Sequence, residues 1–285
     1  MMLGQIRTYL SFVRFSHSVF ALPFALTGAL LAARHQPVTG VTVAWIVAAM
    51  VTARSAAMGF NRLVDARFDA ANPRTSMREL PRGAMLPCEA IGFVVVMSAA
   101  FVVVSFQISW LCGMLAPVAL AIVFWYSLAK RFTSYTQLFL GLAMAVAPVG
   151  GWLAAGGRSG WEPWVLGLAI GLWVGGFDVL YACQDLRHDR AQGLRSIPVR
   201  FGIVRSLLIS RLMHVATIAS MVALAPLAGL GSVYLAGVFI VALLLLYEQS
   251  LVSATDLSQV KRAFDLNGYV GIIYFLVTAV DLYVS

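Results

Sequence analysis

The chain has 285 residues, of which 61% are hydrophobic and 11% charged, with a mean hydropathy of +0.87 and a formal net charge of +8. A soluble domain of this length carries roughly 25% charged residues to cover its surface, so a water-facing globular fold is excluded. Cys88, Cys112 and Cys183 form no CxxC and have no His at ligand spacing, which excludes a zinc site or a disulfide framework.

Apolar stretches fall near 12–33, 41–58, 89–106, 111–128, 136–155, 163–182, 207–228, 233–251 and 266–284. A membrane-spanning helix needs about 20 such residues to cross the hydrocarbon. The expectation is an all-α integral membrane protein, a bundle of about nine transmembrane helices forming a single domain over 1–285. The first stretch exceeds a typical signal peptide, and only Arg7 and Arg14 precede its core, so a retained first helix is expected. Gly167, Gly171 and Gly175 give the sixth stretch a small-xxx-small face suited to close helix packing.

The longest polar interruptions are 61–87 and 184–206. If the N-terminus is cytoplasmic, the connections after stretches two, four, six and eight, counted with Arg211 in the first turns of the seventh stretch, hold fifteen of the 20 Lys and Arg residues, and the opposite connections hold only Arg34 and Arg158. That asymmetry is a positive-inside signal. It assigns the excess charge to cytoplasmic loops and anionic headgroups rather than to nucleic acid. A bacterial inner membrane, with the N-terminus inside, is the expected location.

Both polar interruptions begin with the same pattern. Asn61, Asp65 and Asp69 are spaced four and four, as are Tyr181, Asp185 and Asp189, and Arg74-Thr75 and Arg195-Ser196 follow them. The repeat is parallel, because both clusters fall on the expected cytoplasmic side. Residues i, i+4 and i+8 share one face of a helix. Each cluster therefore concentrates like charges near lipid, where they repel and resist burial.

A positive partner is needed, and the residues leave two open. Arg62, Arg67 and Arg187 are near enough in sequence to form salt bridges. Alternatively, Mg²⁺ is usually held by one or two carboxylates together with substrate phosphates, with Arg and Lys on the remaining oxygens. At a membrane surface, the second arrangement describes a prenyl diphosphate whose apolar chain enters the bundle.

The string Asn61-Arg-Leu-Val-Asp65-Ala-Arg-Phe-Asp69, followed by Asn72-Pro-Arg74-Thr75, resembles the first signature of the UbiA family of intramembrane aromatic prenyltransferases. Asp178-Val-Leu-Tyr181-Ala-Cys-Gln-Asp185-Leu-Arg-His-Asp189 resembles the second. The resemblance covers motif order, spacing and helix number along essentially the whole chain. It implies that Asn61, Asp65, Asp69, Asp185 and Asp189 hold Mg²⁺, with Asp65, Asp69, Asp178, Asp185 and Asp189 serving catalysis. It further implies that Asn61, Arg74, Tyr126, Lys130 and Tyr181 bind the diphosphate.

The family often has Asp directly after the Asn of the first signature; here Arg62 stands there, which implies fewer carboxylates and a phosphate contact for Arg62. Near the N-terminus, Phe12-Val-Arg14-Phe-Ser-His17 resembles the 4-hydroxybenzoate branch, and Arg14 or His17 would pair with an acceptor carboxylate.

The implied reaction is Mg²⁺-dependent transfer of a polyprenyl group to a ring carbon of an aromatic acid, foremost 4-hydroxybenzoate, in quinone biosynthesis. A hydroxynaphthoate acceptor is the alternative within this class. A secondary transporter is the alternative outside it, and predicts inverted repeats with carboxylates near the bilayer midplane. His35, His188 and His214 are expected as polar surface or interface residues. Asp281 and Glu248 have no evident chemistry.

Overall fold

The computed structural model describes residues 8–9, 11–13, 21–34 and 37–284, all helix and loop with no strand among them. Arg14, His17 and His35 lie outside the described residues. The helices are α1 (Leu22–Ala32), α2 (Gly40–Ala71), α3 (Pro87–Ile108), α4 (Trp110–Leu128), α5 (Thr136–Ala154), α6 (Glu162–Ala182), α7 (Leu186–Ala191), α8 (Ile197–Leu227), α9 (Ser232–Ser250) and α10 (Val260–Val284). Short 3₁₀ turns occupy Ala129–Arg131 and Cys183–Asp185. Among the described residues, eight helical spans are long and apolar enough to cross a membrane, and α1 is a shorter apolar helix.

The chain divides into two compact units, the first comprising residues 1–19 and 44–128, the second residues 20–43 and 129–285. In the first unit, α2 is the long element. Its start is fixed by Thr39, whose hydroxyl accepts the Thr42 N–H, as an N-cap does. Its end is set by Asn72-Pro73, because a residue before proline is driven out of the helical region. The Asn72 side chain then accepts the Arg74 N–H at 3.0 Å, closing a turn. The helix therefore runs well beyond the apolar stretch 41–58 and carries the whole first Asp cluster.

Downstream, Pro87 opens α3 and the Glu89 carboxylate accepts the Leu86 N–H. The Ser109 hydroxyl accepts the Cys112 N–H and starts α4. Phe12, Val13, Met85 and Ala90 form a small buried cluster flanked by Leu63 and Leu80. It fastens the loop after α2 to apolar side chains.

In the second unit, glycine sets the helix spacing. A Cβ on Gly28 would collide with the Pro148 carbonyl, and one on Gly151 with the Ala25 carbonyl, so α1 and α5 meet backbone to backbone. Gly141 and Gly171 do the same for α5 and α6, and a Cβ at Gly175 would stand 3.1 Å from the Gln137 carbonyl oxygen. The small-residue face of α6 thus packs as its spacing predicts.

Polar groups join the remaining helices. Trp173 Nε1–H donates to Asn267 at 2.7 Å, Ser210 to the Gly176 carbonyl at 2.7 Å, and Gln249 to Ser210 at 2.8 Å. His214 lies buried in this network, 3.0 Å from Gln249, so it is not the surface or interface residue expected of it. Glu248 is 1% exposed and neither carboxylate oxygen has a hydrogen-bond partner.

Asp281 acquires a clear role. From α10 it accepts the Gly231 N–H at 2.7 Å and the Tyr234 N–H at 2.9 Å. It thereby satisfies donors that the first turn of α9 leaves unpaired.

Candidate active site

The first Asp cluster lies on one unbroken helix, in the last three turns of α2. Asp65 and Asp69 are 4% and 7% exposed, and Asn61 Nδ2 stands 3.5 Å from Asp65 Oδ2. The loop that follows folds back over this face. Thr75 donates to the Asp69 carbonyl at 3.1 Å. Arg78 Nη1 bridges both oxygens of the Asp69 carboxylate at 2.8 and 2.7 Å. Arg74 is exposed.

Arg62 does not stand where a phosphate contact would need it. It is 4% exposed and its Nη1 donates to Glu79 at 3.1 Å. Ser11 donates to the other Glu79 oxygen at 2.6 Å. A charge pair buried this way is strongly destabilising to break, since either partner alone would be an unpaired ion. Arg62 is therefore an anchor for the loop, with Glu79 as its counter-ion. Neither Glu79 nor Arg78 was marked by the motif spacing. The adjacent opposite charges Arg78-Glu79, followed by the partly buried Leu80, were the signal available.

A second unmarked residue is Arg54. It lies seven residues before Asn61 on α2, two turns deeper on the same face, and interacts electrostatically with Tyr126 at the end of α4. Its Nε–H is buried without a hydrogen-bond partner. Intramembrane arginines of this kind mark functional sites by default. The whole arrangement belongs to the first unit.

The second cluster, in the second unit, has a different backbone. Asp178 and Tyr181 belong to α6, Asp185 ends the 3₁₀ turn, and Asp189 sits in α7. The single continuous helix expected for Asp185 and Asp189 is thus broken. The 3₁₀ turn is tighter than an α turn, and its Gln184 side chain donates to the Tyr181 carbonyl at 3.0 Å. All three carboxylates are half-buried.

Asp178 lies within electrostatic range of Asp185, Asp189 and Lys130. Lys130 is in the 3₁₀ turn after α4, and its carbonyl accepts the Arg195 N–H at 2.8 Å. Ser196 donates to Asp189 at 3.3 Å while also accepting the Val199 N–H at the start of α8. The Arg195-Ser196 pair seen in the sequence therefore ties the second cluster to the Lys130 turn. The Tyr181 ring packs on Phe264 at 4.9 Å, and Phe264 on Phe177 at 5.5 Å, giving this end of α6 an aromatic flank.

Among the described residues, no three His, Cys, Asp or Glu side chains form a closed metal cage. Each cluster instead presents a few carboxylates with a cation beside them. That donor set fits an oxygen-seeking Mg²⁺ that completes its shell with phosphate oxygens and water.

A family model described as the UbiA prenyltransferase family matches residues 21–276. A 4-hydroxybenzoate octaprenyltransferase from Vibrio cholerae is 30% identical over 270 residues, 94% of each chain. The apo structure of a UbiA homologue from Aeropyrum pernix superposes with a TM-score of 0.86 at 35% identity, covering 93% of this chain and 98% of that one. A UbiA homologue from Archaeoglobus fulgidus, solved bound to GPP and Mg²⁺, shares the fold with a TM-score of 0.70 at 17% identity, covering 95% and 99%. The chain belongs to the UbiA family and is a prenyltransferase.

Proposed function

We propose that this prenyltransferase moves a polyprenyl group from its diphosphate to a ring carbon of 4-hydroxybenzoate, with Mg²⁺, at the cytoplasmic side of a bacterial inner membrane. Membership of the family replaces the transporter alternative. The acceptor class rests on one observation above all. Arg54 holds a buried, unpartnered Nε–H two turns deeper than the first Asp motif, and a desolvated guanidinium pairs best with a planar carboxylate. The name of the Vibrio relative points the same way. Arg14, the residue first expected in this role, lies outside the described residues.

The roles are those that the resemblance of the two motifs implies, and the donor set is compatible with them. Asn61, Asp65 and Asp69 in one motif, and Asp185 and Asp189 in the other, would hold Mg²⁺ together with diphosphate oxygens. When bound, the metal supplies charge stabilisation for the departing diphosphate. Lys130, Arg74, Tyr126 and Tyr181 bind the remaining oxygens and orient the leaving group. The allylic C–O bond ionises, the phenol-activated ring attacks the cation ortho to its hydroxyl, and the ring proton leaves to Asp178 or to the released diphosphate. Arg54 orients the acid by its carboxylate, and the apolar helix surfaces keep water from the cation.

The test is turnover by purified protein with Mg²⁺, a labelled long-chain prenyl diphosphate, and either 4-hydroxybenzoate or 1,4-dihydroxy-6-naphthoate. Prenylated 4-hydroxybenzoate, abolished by EDTA, is the expected result. Prenylation of the naphthoate alone would move the protein to the alternative acceptor. Intact diphosphate with every aromatic acid would end the proposal.

A further inference from the structure

Adjacent residues of the loop after α2 make two ion pairs of different character. Glu79 takes Arg62, with side-chain exposures of 6% and 5%. Arg78 takes Asp69, with side-chain exposures of 21% and 10%. The first pair is sealed and also holds Ser11. The second is partly open to solvent, uses one nitrogen for both carboxylate oxygens, and leaves the buried Arg78 Nε–H without a partner. The guanidinium is thus bound less completely than its fork permits.

We infer that Arg78 is a built-in competitor of the metal for Asp69, so that metal binding and release of the Arg78 guanidinium from that carboxylate are one event. This rests on the metal-diphosphate reading proposed above. Arg78 Nη1 occupies the edge of the Asp69 carboxylate between its two oxygens, so a cation that chelates both oxygens must displace the arginine, and one that binds a single oxygen must share it. The displaced guanidinium remains tethered, because Glu79 next to it stays fixed on Arg62. Its unpaired donors then need an anion, which a diphosphate entering with the metal supplies. Metal alone gains little by expelling Arg78; metal with diphosphate gains both partners. The contact makes the acidic site selective for the metal-diphosphate pair over free divalent cation.

Arg78 is a positioning residue in this scheme, and its signature is a metal affinity rather than a rate. Mn²⁺ binding to the detergent-purified full chain is measured by the loss of free-ion EPR signal, with and without inorganic pyrophosphate. The wild type should bind Mn²⁺ weakly alone and more tightly with pyrophosphate. Arg78→Gln should bind Mn²⁺ alone about tenfold more tightly, the equivalent of losing one modest competing ion pair. It should gain less from pyrophosphate.

Arg78→Lys keeps a charge that cannot span the carboxylate in the same way, and should fall between the two. It also serves if Arg78→Gln elutes as aggregate. In the double variant Asp69→Asn with Arg78→Gln, the gain should vanish. Unchanged or weaker Mn²⁺ affinity in both Arg78 variants would overturn the inference while leaving the metal-diphosphate reading intact, as would a gain that survives Asp69→Asn. Absence of Mn²⁺ binding in every variant, even with pyrophosphate, would remove both.

Discussion

The two Asp motifs share a spacing but not a structure. The first is an uninterrupted helical face whose carboxylates are nearly buried, with Asp69 held by Arg78 of the following loop and that loop pinned to the helix by the Arg62–Glu79 pair. The second crosses a 3₁₀ turn into a short helix, with half-buried carboxylates attended by Ser196 and Lys130. A repeat of sequence has thus been stabilised in two ways: by buried charge pairing in one unit, and by backbone turns and close glycine packing in the other. A shared spacing does not require shared support.

The largest expected effects test whether the motifs nonetheless carry equal chemical weight. Asp65→Ala and Asp185→Ala should each lower prenyl transfer by about a thousandfold, as the loss of several kcal/mol of charge stabilisation implies. A large loss for one and a small loss for the other, measured with labelled prenyl diphosphate, would make the motifs functionally unequal. Arg62→Ala isolates the support peculiar to the first motif. It leaves Glu79 charged and buried, and should cost about 3–5 kcal/mol, read as a lowered unfolding temperature in detergent. Replacing the pair together, Arg62→Met with Glu79→Leu, should recover most of that loss.

Support of the second motif is probed by Gly141→Ala. The new methyl meets the Gly171 carbonyl of α6, so the two helices must separate at a cost of about 1–3 kcal/mol. The activity of this variant should fall in step with the stability of α6. The smallest effect belongs to Ser196→Ala, which removes a helix cap worth about 1 kcal/mol together with the Asp189 contact. Turnover should drop less than stability assays on Gly141→Ala would suggest. A loss as large as that of Asp185→Ala would promote Ser196 into the chemistry.

Much of this was legible in the sequence, because membrane helices declare themselves by length and apolarity. The four-and-four spacing located both motifs, and Gly167, Gly171 and Gly175 marked a close-packed face. Other features were hidden for physical reasons. The 3₁₀ turn at Cys183–Asp185 leaves no trace in a side-chain period that differs from the α-helical one by a fraction of a residue. Arg62 looked like a phosphate ligand because its partner, Glu79, is 17 residues away in sequence and is brought back only by the turn at Asn72-Pro73. Arg54 was concealed inside an apolar stretch, where one charge hardly changes the average. Asp281 and Glu248 illustrate the same limit. A lone carboxylate acquires meaning only from the neighbours that tertiary structure gives it.

The Asp281 contact has a practical consequence for handling the protein. The start of α9 is held by Asp281 in the final turns of α10, so those turns are structural rather than dispensable. Trimming the chain before residue 281, or fusing a rigid partner directly onto α10, would strip the cap from α9 and leave its first peptide groups exposed to an apolar environment. Such changes would lose folded protein while leaving both Asp motifs intact.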